Sequence, residues 1–285
     1  MKSGTISIHR QQLLRDLIWC VNSPSLITPA ATTKPITADE IDEEHLASFF
    51  LDQVPRKVGH YFERLVLYWL THVRRVELIA NTLQIRSENR TLGEIDFLYR
   101  DEQGQLTHLE VAVKFYLYQP DRVVHDSHFI GPNVRDTFER KMHRLFEHQL
   151  PLSHRHFPDV KVRHAFVKGR IFYDADLPAP VHLPAKMSPD HLRGSILRLQ
   201  SLDSLEKTPR AFYRVLEKPF WLSDDIGDSN LQPLQDASQI KSYITRRMSV
   251  HHSPVLFSEL NQRGDSFTES NRLFIVPDDW PADAT

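Results

Sequence analysis

The sequence predicts an α/β fold in which a mixed sheet is flanked by helices, and three observations support this. Residues 56–74 place apolar side chains at helical spacing, which predicts an amphipathic helix. Residues 76–118 then supply three segments with the alternation that is typical of strands. A second amphipathic helix over 134–150 and an apolar strand over 162–174 follow. The predicted order is therefore helix, three strands, helix and strand, or αβββαβ.

The regions on either side of this core predict a division into three parts. Two helical patterns precede Pro55, and a proline-rich stretch at 176–190 follows the last core strand. Further helix and strand patterns continue to the C-terminus. We therefore expect an N-terminal helical segment (1–55), a core (56–175) and a C-terminal α+β extension that packs on the core (176–285).

Composition limits the class of protein. The 285 residues are 40% hydrophobic and 25% charged with a net charge of −2, so we expect a globular protein without global attraction to nucleic acid. The single cysteine, Cys20, excludes an intramolecular disulfide and a thiolate zinc cluster, and it suits a cytoplasmic location. Arg15 and Asp16 interrupt the apolar run Leu13–Val21, so we predict neither a signal peptide nor a membrane span. The oligomeric state stays open.

The stretch 90–118 predicts a β-hairpin that brings two carboxylates together. Because side chains alternate along a strand, Asp96 lies on the polar face of the first strand, and Glu110 and Lys114 lie on the polar face of the second. The polar, glycine-containing segment 101–105 can turn the chain between them. A carboxylate pair on a rigid sheet suits a hard divalent cation, and a nearby ammonium can stabilise charge on a phosphate.

These residues resemble the motif of the PD-(D/E)XK nuclease superfamily. The motif places one acid on a strand, an acid and a lysine on the next strand, and a glutamate on the preceding helix. Here they are Asp96 in GEIDFLY, Glu110 with Lys114 in HLEVAVK, and Glu63 in GHYFERLVLYWL. The pattern covers roughly the middle third of the chain and is similar to uncharacterised bacterial families placed in that superfamily. The resemblance implies a restriction-endonuclease-like αβββαβ core.

The resemblance also implies an activity. It implies a nuclease that hydrolyses phosphodiester bonds in nucleic acid, expected to be DNA, with Mg²⁺ or Mn²⁺ as cofactor. Asp96, Glu110 and Glu63 would hold the metal, and Lys114 would assist catalysis. Glu94 and Gln149 are further candidates for the site.

The position of the lysine departs from the superfamily pattern. The usual motif has one residue between acid and lysine, whereas three residues separate Glu110 from Lys114 and Ala112 occupies the usual lysine position. At ~3.4 Å per residue, Lys114 starts ~13 Å along the strand from Glu110 rather than ~7 Å. Lys141, from the following helix, is the alternative source of the ammonium.

The segment 135–170 predicts a local basic surface. It holds nine basic and four acidic residues, which is the kind of excess that binds a phosphate backbone. The candidate contacts are Arg140, Lys141, Arg144, Lys168 and Arg170.

Structural explanations of the same residues stay open. Solvated side chains would explain the basic segment, and a solvated position at the helix edge would explain Glu63. A cross-strand pair would explain Glu110 and Lys114 without chemistry. The same fold without catalysis, which binds nucleic acid or a protein partner, is the alternative function.

Overall fold

The described part of the chain contains nine strands of one mixed sheet and six α-helices, and it is α/β as predicted. The structure is a computed structural model that describes residues 10–51, 54–87, 90–208, 210–227 and 233–282. Of the predicted N-terminal segment, residues 1–9 and 52–53 therefore lie outside the described residues. None of the helices in the described ranges combines the length and the apolar character needed to cross a bilayer.

The elements follow the predicted order. The helices are α1 (Arg10–Asn22), α2 (Glu43–Leu51), α3 (Val58–Tyr68), α4 (Phe138–His143), α5 (Leu150–His156) and α6 (Ala237–Val250). The strands are β1 (Glu77–Ser87), β2 (Arg90–Arg100), β3 (Leu106–Tyr118), β4 (Phe129–Ile130), β5 (Val162–Asp174), β6 (Leu192–Arg198), β7 (Ala211–Val215), β8 (Val255–Arg263) and β9 (Ser266–Val276). The succession of helix, three strands, helix and strand corresponds to α3, β1 to β3, α4 and β5, with the two-residue β4 before α4.

The chain divides into two units, each made of separate stretches. Unit 1 comprises Met1–Lys114, Lys141–Gly169 and Pro184–His191, and unit 2 comprises Phe115–Arg140, Arg170–Leu183 and Leu192–Thr285. Every residue of the predicted carboxylate site belongs to unit 1.

Helix α3 of unit 1 carries the first predicted site residue. It buries Phe62, Leu65 and Val66, and its Tyr61 hydroxyl donates a hydrogen bond of 2.8 Å to the buried Asp16 of α1. The helix continues as a π-helical turn over Trp69–Val73, so the predicted helix is confirmed with a different last turn. This packing fixes the helix that presents Glu63.

The hairpin of β2 and β3 is confirmed, and its turn sets the register. The Asp101 side chain accepts hydrogen bonds from the backbone N–H groups of Gln103 and Gln105 at 3.0 and 2.8 Å, which is an Asx turn. The strands then pair antiparallel up to Phe97 opposite Leu109. The next residues along the two strands are Asp96 and Glu110.

Strand β5 approaches β3 closely at one glycine. Gly169 has a φ of +148°, and a Cβ atom there would lie 1.8 Å from the backbone oxygen of Lys114. Only glycine permits this contact between two backbones. Gly169 therefore allows β5 to lie beside the strand that carries the predicted carboxylate and lysine.

The second core helix begins later than predicted. Helix α4 begins at Phe138 rather than at residue 134, because Val134 has a φ of +62° and cannot continue a right-handed helix. A π-helical segment, Arg144–Gln149, follows α4 and leads into α5. Lys141 and Gln149 lie on this irregular helical stretch.

Unit 2 has its own part of the sheet, in the order β5, β6, β9, β8, β7. The pairs β5–β6 and β6–β9 are parallel, and β9–β8 and β8–β7 are antiparallel. Helix α6 packs Ile240, Ile244 and Met248 into a core with Phe257. The α+β character predicted for the C-terminal region is thereby present.

Candidate active site

Asp96 and Glu110 lie side by side on neighbouring strands of unit 1. The Asp96 backbone N–H donates to Glu110 Oε1 at 3.4 Å, and the Val111 backbone N–H donates to Asp96 Oδ2 at 2.8 Å. Each carboxylate therefore contacts the backbone of the other strand. The hairpin brings together the two acids that alternation placed on one face.

Gln149 and Lys141 extend this pair by two hydrogen bonds. The Gln149 amide donates to Glu110 Oε2 at 2.5 Å, and Lys141 Nζ donates to Gln149 Oε1 at 3.0 Å. Because the lysine only donates, it fixes which side of the amide faces Glu110. Lys141 is thus connected to Glu110 through one side chain, although it is distant in sequence.

The two carboxylates hold protons more tightly than usual. Burial, followed by the charge of Glu110, raises the pKa of Asp96 to about 7. Burial also raises the pKa of Glu110 to about 7, although the Asp96 backbone N–H and Lys141 oppose the shift. The two groups are therefore partly protonated near neutral pH, because burial disfavours their ionised forms.

Two further predicted acids belong to the same electrostatic environment. Burial and the Asp96 carboxylate raise the pKa of Glu63 on α3. Glu94 on β2 raises the pKa values of Glu63, Asp96 and Glu110 through its charge. The site is thus an acidic cluster in which Asp96 and Glu110 are the innermost pair.

The two candidate lysines differ in their relation to this pair. Burial, followed by the charge of Lys114, lowers the pKa of Lys141, and the carboxylates Glu110 and Asp96 oppose that shift. Lys141 in turn lowers the pKa of both carboxyl groups. Of the two lysines, Lys141 therefore has the stronger influence on the pKa values of the pair.

The predicted basic surface is only partly exposed. Arg140 and Arg144 are exposed, whereas Lys168 is 4% exposed and Arg170 is 8% exposed. Lys168 Nζ donates to one backbone oxygen in the last turn of α1 and to another directly after that helix, and burial lowers its pKa to about 8.

Arg170 has a similar role within unit 2. It donates to the Arg193 backbone oxygen at 2.9 Å and to Asp224, and burial lowers its pKa to about 10. Lys168 and Arg170 thus bind parts of the protein itself. Contrary to the expectation, they do not form an exposed basic surface, because β5 is buried along both of its faces.

A buried histidine that the sequence interpretation missed also contacts Glu110. His108 Nε2 lies 2.7 Å from Glu110 Oε1, and burial lowers the pKa of His108 to about 4, so the contact is a hydrogen bond rather than an ion pair. His108 precedes Glu110 by two residues on β3. The same alternation that placed Asp96 and Glu110 could have placed His108 on their face.

The two carboxylates are the kind of oxygen ligand that a hard divalent cation uses, with water at its remaining coordination positions. Asp96 and Glu110 supply carboxylate oxygens, and Mg²⁺ commonly uses one or two carboxylates with several waters. In the described part of the chain, no cluster of three or more His, Cys, Asp and Glu side chains is arranged to hold a metal. The raised pKa values of the pair fit a site whose charge a cation would balance.

Comparison with known proteins gives a family but no activity. No curated protein and no solved structure matches the chain. A family described as a domain of unknown function (DUF1853) matches residues 10–276. This match covers nearly the whole sequence, and the chain therefore belongs to the DUF1853 family.

Proposed function

We propose that this protein is a metal-dependent nuclease that hydrolyses phosphodiester bonds in nucleic acid, with DNA as the expected substrate. The observation that carries the proposal is the buried Asp96–Glu110 pair, whose pKa values are raised to about 7, beside a lysine linked to Glu110. Strongly shifted carboxyl groups with a nearby cation are common at functional sites. The order of α3, β1 to β3, α4 and β5 supports a restriction-endonuclease-like core.

The residues divide into metal ligands and groups that act on the phosphate. Asp96 and Glu110 would hold Mg²⁺ or Mn²⁺, and Glu63 would contribute through a water. When bound, the cation polarises a phosphoryl oxygen and lowers the pKa of its water. Lys141, rather than Lys114, provides the ammonium that stabilises negative charge on the phosphate.

The position of Lys141 supports an alternative source for the lysine that the superfamily motif requires. Ala112 occupies the position on β3 where the resemblance places a lysine. The hydrogen bond of Lys141 to Gln149, and of Gln149 to Glu110, supplies an ammonium from the helical stretch instead. Gln149 therefore orients the lysine relative to Glu110.

A catalytically inactive module of the same fold is the second candidate. Such a protein would bind nucleic acid or a protein partner with the same face. Two observations favour it: Ala112 at the usual lysine position, and hydrogen bonds that already engage both oxygens of Glu110.

Cleavage of plasmid and oligonucleotide substrates with Mg²⁺ or Mn²⁺ tests the proposal. Asp96→Asn keeps the shape and the acceptor for Val111 but removes the charge, so we expect a loss of activity of ~100-fold or more. Asp159→Asn is the matched control, because Asp159 is exposed, and it should keep wild-type activity.

The two candidates predict different outcomes of this assay. Equal cleavage by wild type and Asp96→Asn would exclude the proposed nuclease site. Salt-sensitive binding of nucleic acid without metal-dependent cleavage would establish the inactive module.

A further inference from the structure

We propose that His108 is a positioning residue that holds Glu110 through a single imidazole tautomer, and that Ser153 and Arg163 select this tautomer. The inference rests on the proposed function, because it concerns Glu110 as a cation ligand. It adds three residues that do not occur in the sequence motif.

The three side chains form one continuous chain of hydrogen bonds to Glu110. His108 on β3 is 0% exposed, with Nε2 at 2.7 Å from Glu110 Oε1 and Nδ1 at 2.9 Å from Ser153 Oγ. Ser153 on α5 is also buried, and it accepts a hydrogen bond of 2.8 Å from Arg163 Nε on β5. Three elements of unit 1 therefore converge on one carboxylate oxygen.

The proton of the Ser153 hydroxyl gives this chain its direction. A guanidinium only donates, so Ser153 Oγ accepts from Arg163 and keeps its own proton for another acceptor. Two acceptors are in reach, His108 Nδ1 at 2.9 Å and the Leu150 backbone oxygen at 3.3 Å. The shorter contact favours His108.

The proton on Ser153 then determines which ring nitrogen of His108 donates. A neutral imidazole has one N–H, so if Nδ1 accepts from Ser153, Nε2 carries the proton and donates to Glu110. An ionised carboxylate can only accept, which matches this direction. The other tautomer would place two acceptors opposite each other at 2.7 Å when Glu110 is ionised.

Support on both oxygens would hold Glu110 in one rotamer. Oε1 accepts from His108 and Oε2 accepts from Gln149, so neither oxygen is free to turn away from Asp96. Partners of this kind around metal ligands typically change metal affinity by ~10–100-fold when removed. A histidine that only filled space would stabilise the fold without affecting the cation.

Nitrogen-15 NMR of the histidine rings in the full chain tests the tautomer. We expect the Nε2–H tautomer for His108 in the Mg²⁺-saturated protein, with the signal assigned by its loss in His108→Gln. In Ser153→Ala the donor to Nδ1 is absent, so we expect a mixture of tautomers. A ring protonated at Nδ1 in the wild-type protein would overturn the proposal.

Mg²⁺ titration calorimetry separates positioning from packing. His108→Phe keeps an aromatic ring but removes the donor, and should weaken Mg²⁺ binding ~10–100-fold. His108→Gln keeps an N–H that can reach Glu110 and should stay within a few-fold of wild type, as should the exposed control His182→Phe. Equal weakening by the Phe and Gln variants would overturn the proposal.

Failure of the proposed function would give a different result. If the wild-type protein binds no Mg²⁺, the proposed metal-dependent nuclease site is excluded. The tautomer is then read in the metal-free protein in alkaline solution, where Glu110 is ionised. An Nε2–H ring there supports the positioning role, and an Nδ1–H ring overturns it.

Discussion

Both units contain buried carboxylates, but the groups that balance their negative charge differ between the units. In unit 2, Asp225 accepts from Arg214 at 2.6 Å, and Glu269 accepts from Arg272 at 2.5 Å. Arg272 also donates to three successive backbone oxygens, those of residues 221–223. In unit 1, Asp96 and Glu110 instead face one another, and Lys141 bonds to Gln149 rather than directly to a carboxylate.

Under the proposed function, this difference separates a structural from a functional use of buried charge. A buried carboxylate that meets a guanidinium satisfies both charges and locks the loop around it. A buried pair of carboxylates without a matched cation destabilises its own ionised form, and it does so where a ligand can supply the missing charge. Among the described residues, Asp96 and Glu110 differ from the acids of unit 2 in that no arginine or lysine bonds directly to their carboxylate oxygens, although neutral groups do.

Loss of the guanidinium in unit 2 should have the largest effect on stability. Arg272→Met keeps a long side chain but leaves Glu269 and three backbone oxygens without their donor, so we expect a loss of ~3–5 kcal/mol in the free energy of unfolding. Urea denaturation measures it.

An exposed ion pair provides the control for this variant. Arg100 lies 3.7 Å from Glu77, and the two side chains are 48% and 67% exposed. Arg100→Met should therefore cost no more than ~1 kcal/mol. Similar losses in the free energy of unfolding for the two variants would show that the buried Arg272 stabilises the protein no more than an exposed arginine does.

The carboxylate pair could be predicted from sequence because it depends on local chemistry. Alternation placed Asp96 and Glu110 on one face, and the Asx turn at Asp101 fixed the register that brings them together. The order of the core elements followed from the same short-range patterns.

The remaining contacts depend on residues that are far apart in the chain. Ser153 is 45 residues from His108, so local sequence spacing does not predict the hydrogen bond between them. Lys168 and Arg170 are charged residues of the kind expected on an exposed strand. In the folded protein, however, β5 is buried on both faces, which local sequence patterns do not predict. The late start of α4 depends on the positive φ of Val134, which a valine does not predict.

The uncompensated pair should make stability fall as pH rises. Asp96 and Glu110 have pKa values of about 7 in the folded protein, against ordinary values of 3.8 and 4.5. Between these limits the unfolded chain loses protons that the folded chain keeps, so the stabilisation is complete below pH ~4 and is lost as pH rises through ~7. For Asp96 the loss is on the order of 3 kcal/mol after allowance for partial exposure.

Urea denaturation over that pH range measures this loss. Asp96→Asn should flatten the decline and be the more stable protein near neutral pH, whereas the exposed control Asp159→Asn should follow wild type. Saturating Mg²⁺ should also flatten it, because a bound cation balances the ionised pair. The same decline in wild type and Asp96→Asn would contradict the description of the pair as uncompensated.

Removing Lys141 should have the smallest effect, and it identifies the ammonium of the site. Lys141 lowers the pKa of Asp96 and of Glu110, so Lys141→Met should raise the titration midpoint of the pair. Carbon-13 NMR of the side-chain carboxyl groups measures that midpoint. Lys114→Met is the matched control and should give the smaller shift, because the largest influences on the pKa values of Asp96 and Glu110 include Lys141 and not Lys114. A larger shift for Lys114→Met would assign the ammonium to β3, as the sequence motif first indicated, and would remove Lys141 from the site.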